Sequence, residues 1–264
     1  MSASPSAAPR PSASRALVSA LHALSARPAA LVLLLLMRTL QGILTPIHNA
    51  VSALLPVVPF WLVWSPVYYA LLLLLHAGCI RFILSVFVRG ERPRLRTFFE
   101  PFAWGFRRGV LMAFAVGLLF MLTSAAPVPL TVLVTYALHL PLPLMPVLIA
   151  LFAVAGTLLL FNALAAYALS RGACGLRGLF TGLCAKCVPL LFLCLFFLLF
   201  STLFTLLRTL PGLLTLAQPD ALPDLLRNAA TFDVLSPLGA LSYLVVSLFN
   251  SLQDAAFIFL YDPT

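Results

Sequence analysis

Residues 64–88 read WSPVYYALLLLLHAGCIRFILSVFV, a run that carries one charged side chain, Arg81. About 20 mainly apolar residues in a helix cross the hydrocarbon core of a bilayer. The rest of the chain has the same character, since 62% of its 264 residues are apolar, 9% are charged and its mean hydropathy is +1.10. A soluble domain has roughly 25% charged residues. The composition therefore excludes soluble, fibrous and disordered proteins and predicts an all-α integral membrane protein.

The same criterion predicts a polytopic helical bundle of six spans, which form a single transmembrane domain over residues 28–264. The predicted spans are residues 28–47, 64–88, 108–126, 144–169, 188–210 and 237–260. Two further apolar stretches, residues 50–62 and 128–140, are short and interrupted by prolines. Proline disrupts helices, so these stretches are predicted to be interfacial or re-entrant segments. Seven or eight spans are the alternative.

The first 27 residues are predicted to hold a disordered tail and an interfacial helix. Residues 1–14 are rich in Ser, Ala and Pro, which is typical of disorder. Residues 15–27 read RALVSALHALSAR, with Leu17, Leu21 and Leu24 on one face of an amphipathic helix. A start that is rich in Arg and Ser and poor in acids is also typical of a cleaved organellar transit peptide, which is the alternative.

Basic residues are concentrated on one predicted side of the membrane. Three precede the first span, six lie between spans two and three, and three lie between spans four and five. Loops rich in Lys and Arg face the cytoplasm. This bias predicts a bacterial inner-membrane protein with both termini in the cytoplasm; an organellar membrane is the alternative. The two inner loops, expected to bind anionic lipid headgroups or a protein partner, contain Arg89, Arg92, Arg94, Arg96, Arg107, Arg108, Arg171, Arg177 and Lys186.

The two inner loops also resemble each other. The first contains Arg89-Gly90, Leu95-Arg96 and Phe98-Phe99, and the second contains Arg171-Gly172, Leu176-Arg177 and Leu179-Phe180. Both would lie at the same membrane face, so a duplication would be a parallel repeat. The alternative explanation for the similarity is that Arg-Gly is common wherever a helix ends, because Gly ends helices and Arg is favourable at their C-termini.

This layout resembles that of a known group of proteins. The order of features resembles that of uncharacterised six-span bacterial membrane proteins. In this order a span is followed by Arg-Gly, a short Pro-containing link, Leu-x-x-Phe-Phe and basic residues before the next span. The membrane-domain family associated with glycerophosphodiester phosphodiesterases has a similar outline. The resemblance implies a helical inner-membrane bundle. It carries over no catalytic residue, and the phosphodiesterase catalytic domain has no counterpart in this chain.

Polar residues within the predicted spans are the candidate functional residues. They are Arg38, His76, Arg81, Asn162, Asn250 and Asp254. Ionisable side chains inside spans are energetically expensive and often functional. Asp254 is expected to pair with Arg38 or Arg81. The group would form either a pathway for an ion, a proton or an anionic headgroup, or interhelical hydrogen bonds that contribute about 0.6–2 kcal/mol each.

The sequence contains no constellation of residues that indicates catalysis. The pair Cys184 and Cys187 forms a CxxC motif without nearby His or a second CxxC, so neither a metal nor another cofactor is expected. The pI near 10.0 reflects membrane orientation and does not indicate nucleic acid. The predicted function is a non-enzymatic transport or transport-accessory subunit that handles a lipid, an amphiphile or an ion. The alternative is a structural or assembly subunit of a larger complex or homo-oligomer; a lipid enzyme is the least favoured class.

Overall fold

The computed structural model describes residues 12–108, 184, 186–214 and 237–261, which form helices and no strand. This confirms the all-α prediction for the described part of the chain. The helices are α1 (Ala13–Ser25), α2 (Pro28–Leu54), α3 (Ser65–Ile83), α4 (Leu95–Arg108), α5 (Cys187–Leu214) and α6 (Pro237–Tyr261). A short helix, Val57–Pro59, and a π-helical segment, Phe60–Trp64, precede α3, and a second π-helical segment, Leu84–Val88, follows it.

Three described helices are long and apolar enough to cross a membrane. They span Pro28–Leu54, Leu62–Val88 and Leu241–Tyr261, and correspond to the first, second and sixth predicted spans. The fifth predicted span falls within α5, where Cys187–Ser201 is a shorter apolar helix. Predicted spans 108–126 and 144–169 lie outside the described residues, so the count of six spans stays a prediction.

Residues 50–62, predicted to form an interfacial or re-entrant segment, are helical on either side of a short break, and their position relative to the membrane stays a prediction. Residues 50–54 continue α2, the chain turns at Leu55 and Pro56, and helical structure resumes at Val57. Pro59 lies in the first turn of this new helix, where the missing backbone N–H would have no intrahelical acceptor. The prolines therefore mark a tight connection between two spans. The companion stretch, residues 128–140, lies outside the described residues.

The spans α2 and α3 form an antiparallel pair. At one end, the guanidinium of Arg27 donates to the carbonyl of Val86. Towards the other end, the ring of His48 stacks on Tyr68, with their centroids 4.0 Å apart. Residues 27 and 86 therefore lie at the same end of the pair, as the predicted topology requires.

Helices α5 and α6 complete this arrangement. The hydroxyl of Tyr243 donates to the carbonyl of Arg38, and the Tyr243 ring lies against Gly42. Asp254, further along α6, reaches the Arg38 side chain, which leans towards the N-terminus of α2, so α6 runs antiparallel to α2. The ammonium of Lys186, just before α5, donates to the carbonyl of Leu260 at 2.5 Å. We call this end of the bundle, which contains Arg27, Val86, Lys186 and Tyr261, the basic end.

Helix α1 packs into the bundle through one face. Ala16, Ala20 and Leu24 are buried in the core, and α1 contacts α6. Leu21, predicted to share the apolar face of this helix with Leu17 and Leu24, is exposed. The small Ala side chains allow the two helix backbones to approach closely, and this tertiary contact selects the buried face. The disordered tail predicted before α1 falls largely on residues 1–11, outside the described part.

Helix α4 packs against α3. Phe98 is buried, and its carbonyl lies 2.5 Å from where a Cβ on Gly78 would stand. Arg81 pairs with Glu100 across the same contact, with Nε 3.1 Å from Oε2. The absence of a side chain at Gly78 therefore permits the contact with α4.

Candidate functional site

A buried ion pair lies between α2 and α6. The Nη2 of Arg38 donates to the Oδ2 of Asp254, and the two side chains are 4% and 0% exposed. An isolated buried charge is very costly, whereas a pair of opposite charges with additional hydrogen bonds is tolerated. The pair therefore allows two ionic groups to remain inside an apolar helical bundle.

Further acceptors surround the Arg38 guanidinium. Its Nε donates to the hydroxyl of Ser251 at 3.2 Å, its Nη2 to the carbonyl of Asn250 at 3.4 Å, and its Nη1 to the amide oxygen of Gln41 at 3.4 Å. Arginine has five donors and no acceptor, so it needs several such oxygens when buried. The Ser251 hydroxyl in turn donates to the carbonyl of Ser247 at 2.7 Å. Each of the three donor nitrogens of Arg38 thus has at least one acceptor.

The Asp254 carboxylate is less completely satisfied. The Nδ1 of His76, on α3, lies 3.8 Å from Asp254 Oδ2, beyond direct hydrogen-bond distance. Asp254 Oδ1 and His76 Nε2 are buried and have no hydrogen-bond partner among the described residues. Three helices thus contribute ionisable side chains to one buried location. We call Arg38, His76, Ser251 and Asp254 the buried polar cluster.

A close contact between α2 and α6 lies one turn from the ion pair. Tyr243 donates to the carbonyl of Arg38, and a Cβ on Gly42 would overlap the Tyr243 ring. Gly42 therefore admits the aromatic ring that holds α6 against the arginine.

The structure brings together some of the predicted polar residues and separates others. Arg38, His76 and Asp254 belong to the buried polar cluster, and Asn250 contributes its backbone carbonyl. Arg81 does not pair with Asp254. It reaches the half-exposed Glu100 instead, because Glu100 lies on α4, which packs directly against α3. Asn162 lies outside the described residues.

Sequence reasoning missed Ser251, Ser247 and Tyr243 as parts of this site. Together with Asn250 and Asp254, they follow the three- and four-residue spacing of one face of a helix. That polar stripe along α6 was the available signal. It was overlooked because single hydroxyl groups are common in transmembrane helices and indicate little when each is considered alone.

The first predicted inner loop is exposed and held by internal hydrogen bonds. Arg89, Arg92, Arg94 and Arg96 are all exposed. The guanidinium of Arg27 donates to the carbonyls of Val86, Gly90 and Glu91, at 2.5, 3.4 and 3.2 Å. We call residues 89–96 the basic loop.

The other basic residues predicted to lie in the inner loops have different positions. Arg107 and Arg108 belong to the last turn of α4. Lys186 donates to the Leu260 carbonyl, and its Nζ lies 5.6 Å from the centre of the Tyr261 ring. Arg171 and Arg177, on which the internal repeat depends, lie outside the described residues.

An apolar cavity of about 460 Å³ separates α1 from α5. Its lining includes Leu17 on α1 and Phe192, Phe196 and Leu199 on α5. No charged side chain is among the described residues that line the cavity.

The buried polar cluster combines a permanent cation, a carboxylate and an imidazole inside a bundle of apolar helices. Such a group can stabilise a passing ion or exchange a proton, and it can also hold helices together. Comparison of the chain with protein-family models, curated proteins and solved structures gives no significant match.

Proposed function

We propose that this chain is a membrane transport or transport-accessory subunit and that Arg38 and Asp254 lie on the pathway of the ion, amphiphile or anionic lipid that it handles. The observation that carries the proposal is the Asp254 carboxylate, which is fully buried and has one oxygen without a partner among the described residues. A buried acceptor without a hydrogen bond costs about 1–3 kcal/mol. Retaining such a group is reasonable where a transported species supplies the missing interaction.

The position of the buried polar cluster supports this proposal. Its side chains come from α2, α3 and α6, which include the three described helices that are long and apolar enough to cross a membrane. Ionisable residues that face the interior of a helical bundle commonly mark ion and proton pathways. His76, which is 14% exposed, extends the cluster towards the surface of the described bundle.

Reconstitution into liposomes tests the proposal. The full-length protein is assayed for proton flux with an entrapped pH-sensitive dye and for lipid transfer with fluorescent phospholipids. We expect flux above that of protein-free vesicles and a loss of at least tenfold in Asp254→Asn. Because that variant leaves Arg38 unpaired, the same loss is required in Arg38→Met with Asp254→Asn, which leaves no unpaired buried charge, with gel filtration verifying that each variant is folded. The matched control is Arg81→Gln, which removes a charge from the half-exposed pair with Glu100. Equal flux in Asp254→Asn and the unaltered protein would contradict the proposal.

A structural or assembly subunit is the second candidate. In this case the buried polar cluster holds helices together and no species passes it: the Arg38 guanidinium donates to Ser251, Asn250 and Asp254, and the Arg38 backbone carbonyl accepts from Tyr243. This function predicts that a stoichiometric partner or second copy co-purifies in mild detergent and is detected by native mass spectrometry. It also predicts that Asp254→Asn releases that partner, whereas the transport function predicts lost flux with assembly retained.

We further propose that the basic end faces the cytoplasm of a bacterial inner membrane, with both termini on that side; an organellar membrane is the alternative. Arg27, the basic loop and Lys186 at one end support this orientation. Cys187 is exposed near that end. A variant that retains Cys187 alone should react with a membrane-impermeant maleimide in inside-out vesicles and remain unlabelled in intact cells. The reverse labelling pattern would refute the orientation.

A further inference from the structure

We propose that the basic loop is a binding site for the phosphate headgroup of an anionic phospholipid, with Leu95 and Phe99 contacting its acyl chains. The span Leu62–Val88 ends directly before this loop, at the basic end of the bundle. The inference concerns a different part of the molecule from the buried polar cluster and does not depend on the transport proposal.

The charge of the loop favours an anionic ligand. Arg89, Arg92, Arg94 and Arg96 are exposed, and Glu91 is the one acidic residue among positions 89–96. Glu91 is engaged within the protein, since its Oε2 accepts from the hydroxyl of Ser85 at 2.6 Å. Guanidinium groups bind phosphate oxygens in a bidentate geometry. The loop therefore presents four exposed arginines, and its single carboxylate already has a hydrogen-bond donor within the protein.

The backbone of the loop is held in place before any ligand binds. The Glu91 N–H donates to the carbonyl of Ser85 at 3.0 Å, and Gly90 adopts a φ of +75°, a conformation that other residues rarely adopt. Arg27 donates to three carbonyl groups of the same segment. Arg27 is thus a positioning residue, and the preformed loop lowers the entropic cost of binding.

Apolar side chains adjoin the arginines. Leu95 and Phe99, on the outer face of α4, are 51% and 47% exposed, whereas Thr97 and Phe98 between them are buried. Helix α4 packs along the end of α3, so this exposed pair lies beside the last part of a membrane span. A phosphate next to two acyl chains matches this combination of charge and apolar surface. That match favours a phospholipid over an acidic protein segment as the occupant.

Native mass spectrometry of the full-length protein in detergent tests this site. The protein is offered an equimolar mixture of phosphatidylglycerol and phosphatidylcholine with matched chains. We expect preferential retention of phosphatidylglycerol. Each arginine near an anionic lipid changes the affinity by about fivefold. Arg92→Gln with Arg94→Gln should therefore lower the preference by at least fivefold.

Two controls separate specific binding from net charge and from misfolding. The double variant Arg10→Gln and Arg15→Gln removes the same charge outside the basic loop and should retain the preference. Leu95→Ser with Phe99→Ser should weaken retention of both lipids. Circular dichroism and gel filtration verify that each variant is folded. Equal retention of the two lipids by the unaltered protein, an equal loss in both arginine pairs, or displacement of the lipid by inorganic phosphate alone would overturn the proposal.

Discussion

Arg38 on α2 and Asp254 on α6 form a fully buried ion pair between positions 216 residues apart in the chain. The pair connects the first membrane-length helix of the described chain to the last one, and His76 approaches it from α3. The three helices therefore meet at a polar location that their largely apolar sequences do not indicate individually.

Removing one partner of this pair should be strongly destabilising. Arg38→Met or Asp254→Asn leaves an uncompensated buried charge, which costs about 3–5 kcal/mol. The double variant removes both charges and should be more stable than either single variant. Thermal or denaturant unfolding in detergent measures the three free energies. Additive losses in the double variant would show that the two residues do not interact.

The ion pair between Arg81 and Glu100 should contribute much less. Its side chains are 35% and 48% exposed, so solvent screens the interaction. Arg81→Gln is expected to change the free energy of unfolding by about 0–1 kcal/mol. The same unfolding assay makes the comparison. A loss as large as that of Arg38→Met would contradict the assignment of Arg81 to a peripheral contact.

Gly42→Ala should weaken the contact between α2 and α6. Alanine favours helices over glycine by about 1 kcal/mol, but its Cβ would overlap the Tyr243 ring. Overpacking of this kind costs about 1–3 kcal/mol, so a lower melting temperature is expected. In a protein that already carries Tyr243→Ala, adding Gly42→Ala should cause no further decrease in the melting temperature. Persistence of the defect in that background would locate its cause elsewhere.

Gly78→Ala should separate α4 from α3. The new Cβ would stand 2.5 Å from the carbonyl oxygen of Phe98, a backbone atom that cannot rotate away. We expect a destabilisation of about 1–3 kcal/mol and faster amide hydrogen exchange in residues 95–103. Unchanged exchange there would argue against the close approach of the two helices.

Arg27→Gln should loosen the basic loop without removing any of its exposed arginines. The variant loses the donors to Val86, Gly90 and Glu91, and each hydrogen bond from a charged group contributes about 1.5–3 kcal/mol. Hydrogen exchange at residues 86–94 should therefore increase. Arg15→Gln, on the exposed side of α1, is the matched control. Equal protection in the two variants would rule out the positioning role of Arg27.

The sequence indicated the class of fold because hydrophobic burial in a bilayer depends on local composition. Residues 64–88 have enough apolar side chains to cross a membrane regardless of their neighbours, and the structure has a membrane-length helix at Leu62–Val88. The sequence also predicted that Arg27 and the basic loop lie at the same end of the first two spans. Two apolar helices joined by a short turn return the chain to the end from which it started.

Contacts between distant residues required the tertiary structure. The sequence allowed either Arg38 or Arg81 as the partner of Asp254, since their predicted depths were similar. Packing of α6 against α2 brought Asp254 to Arg38, and packing of α4 against α3 gave Arg81 a different partner, Glu100. Likewise, α1 buries Ala16, Ala20 and Leu24 because it packs against α6. The sequence by itself thus determined which segments are apolar enough to cross a membrane, a property that each segment carries alone. Only the tertiary structure decided which polar side chains meet, because that depends on how the helices pack.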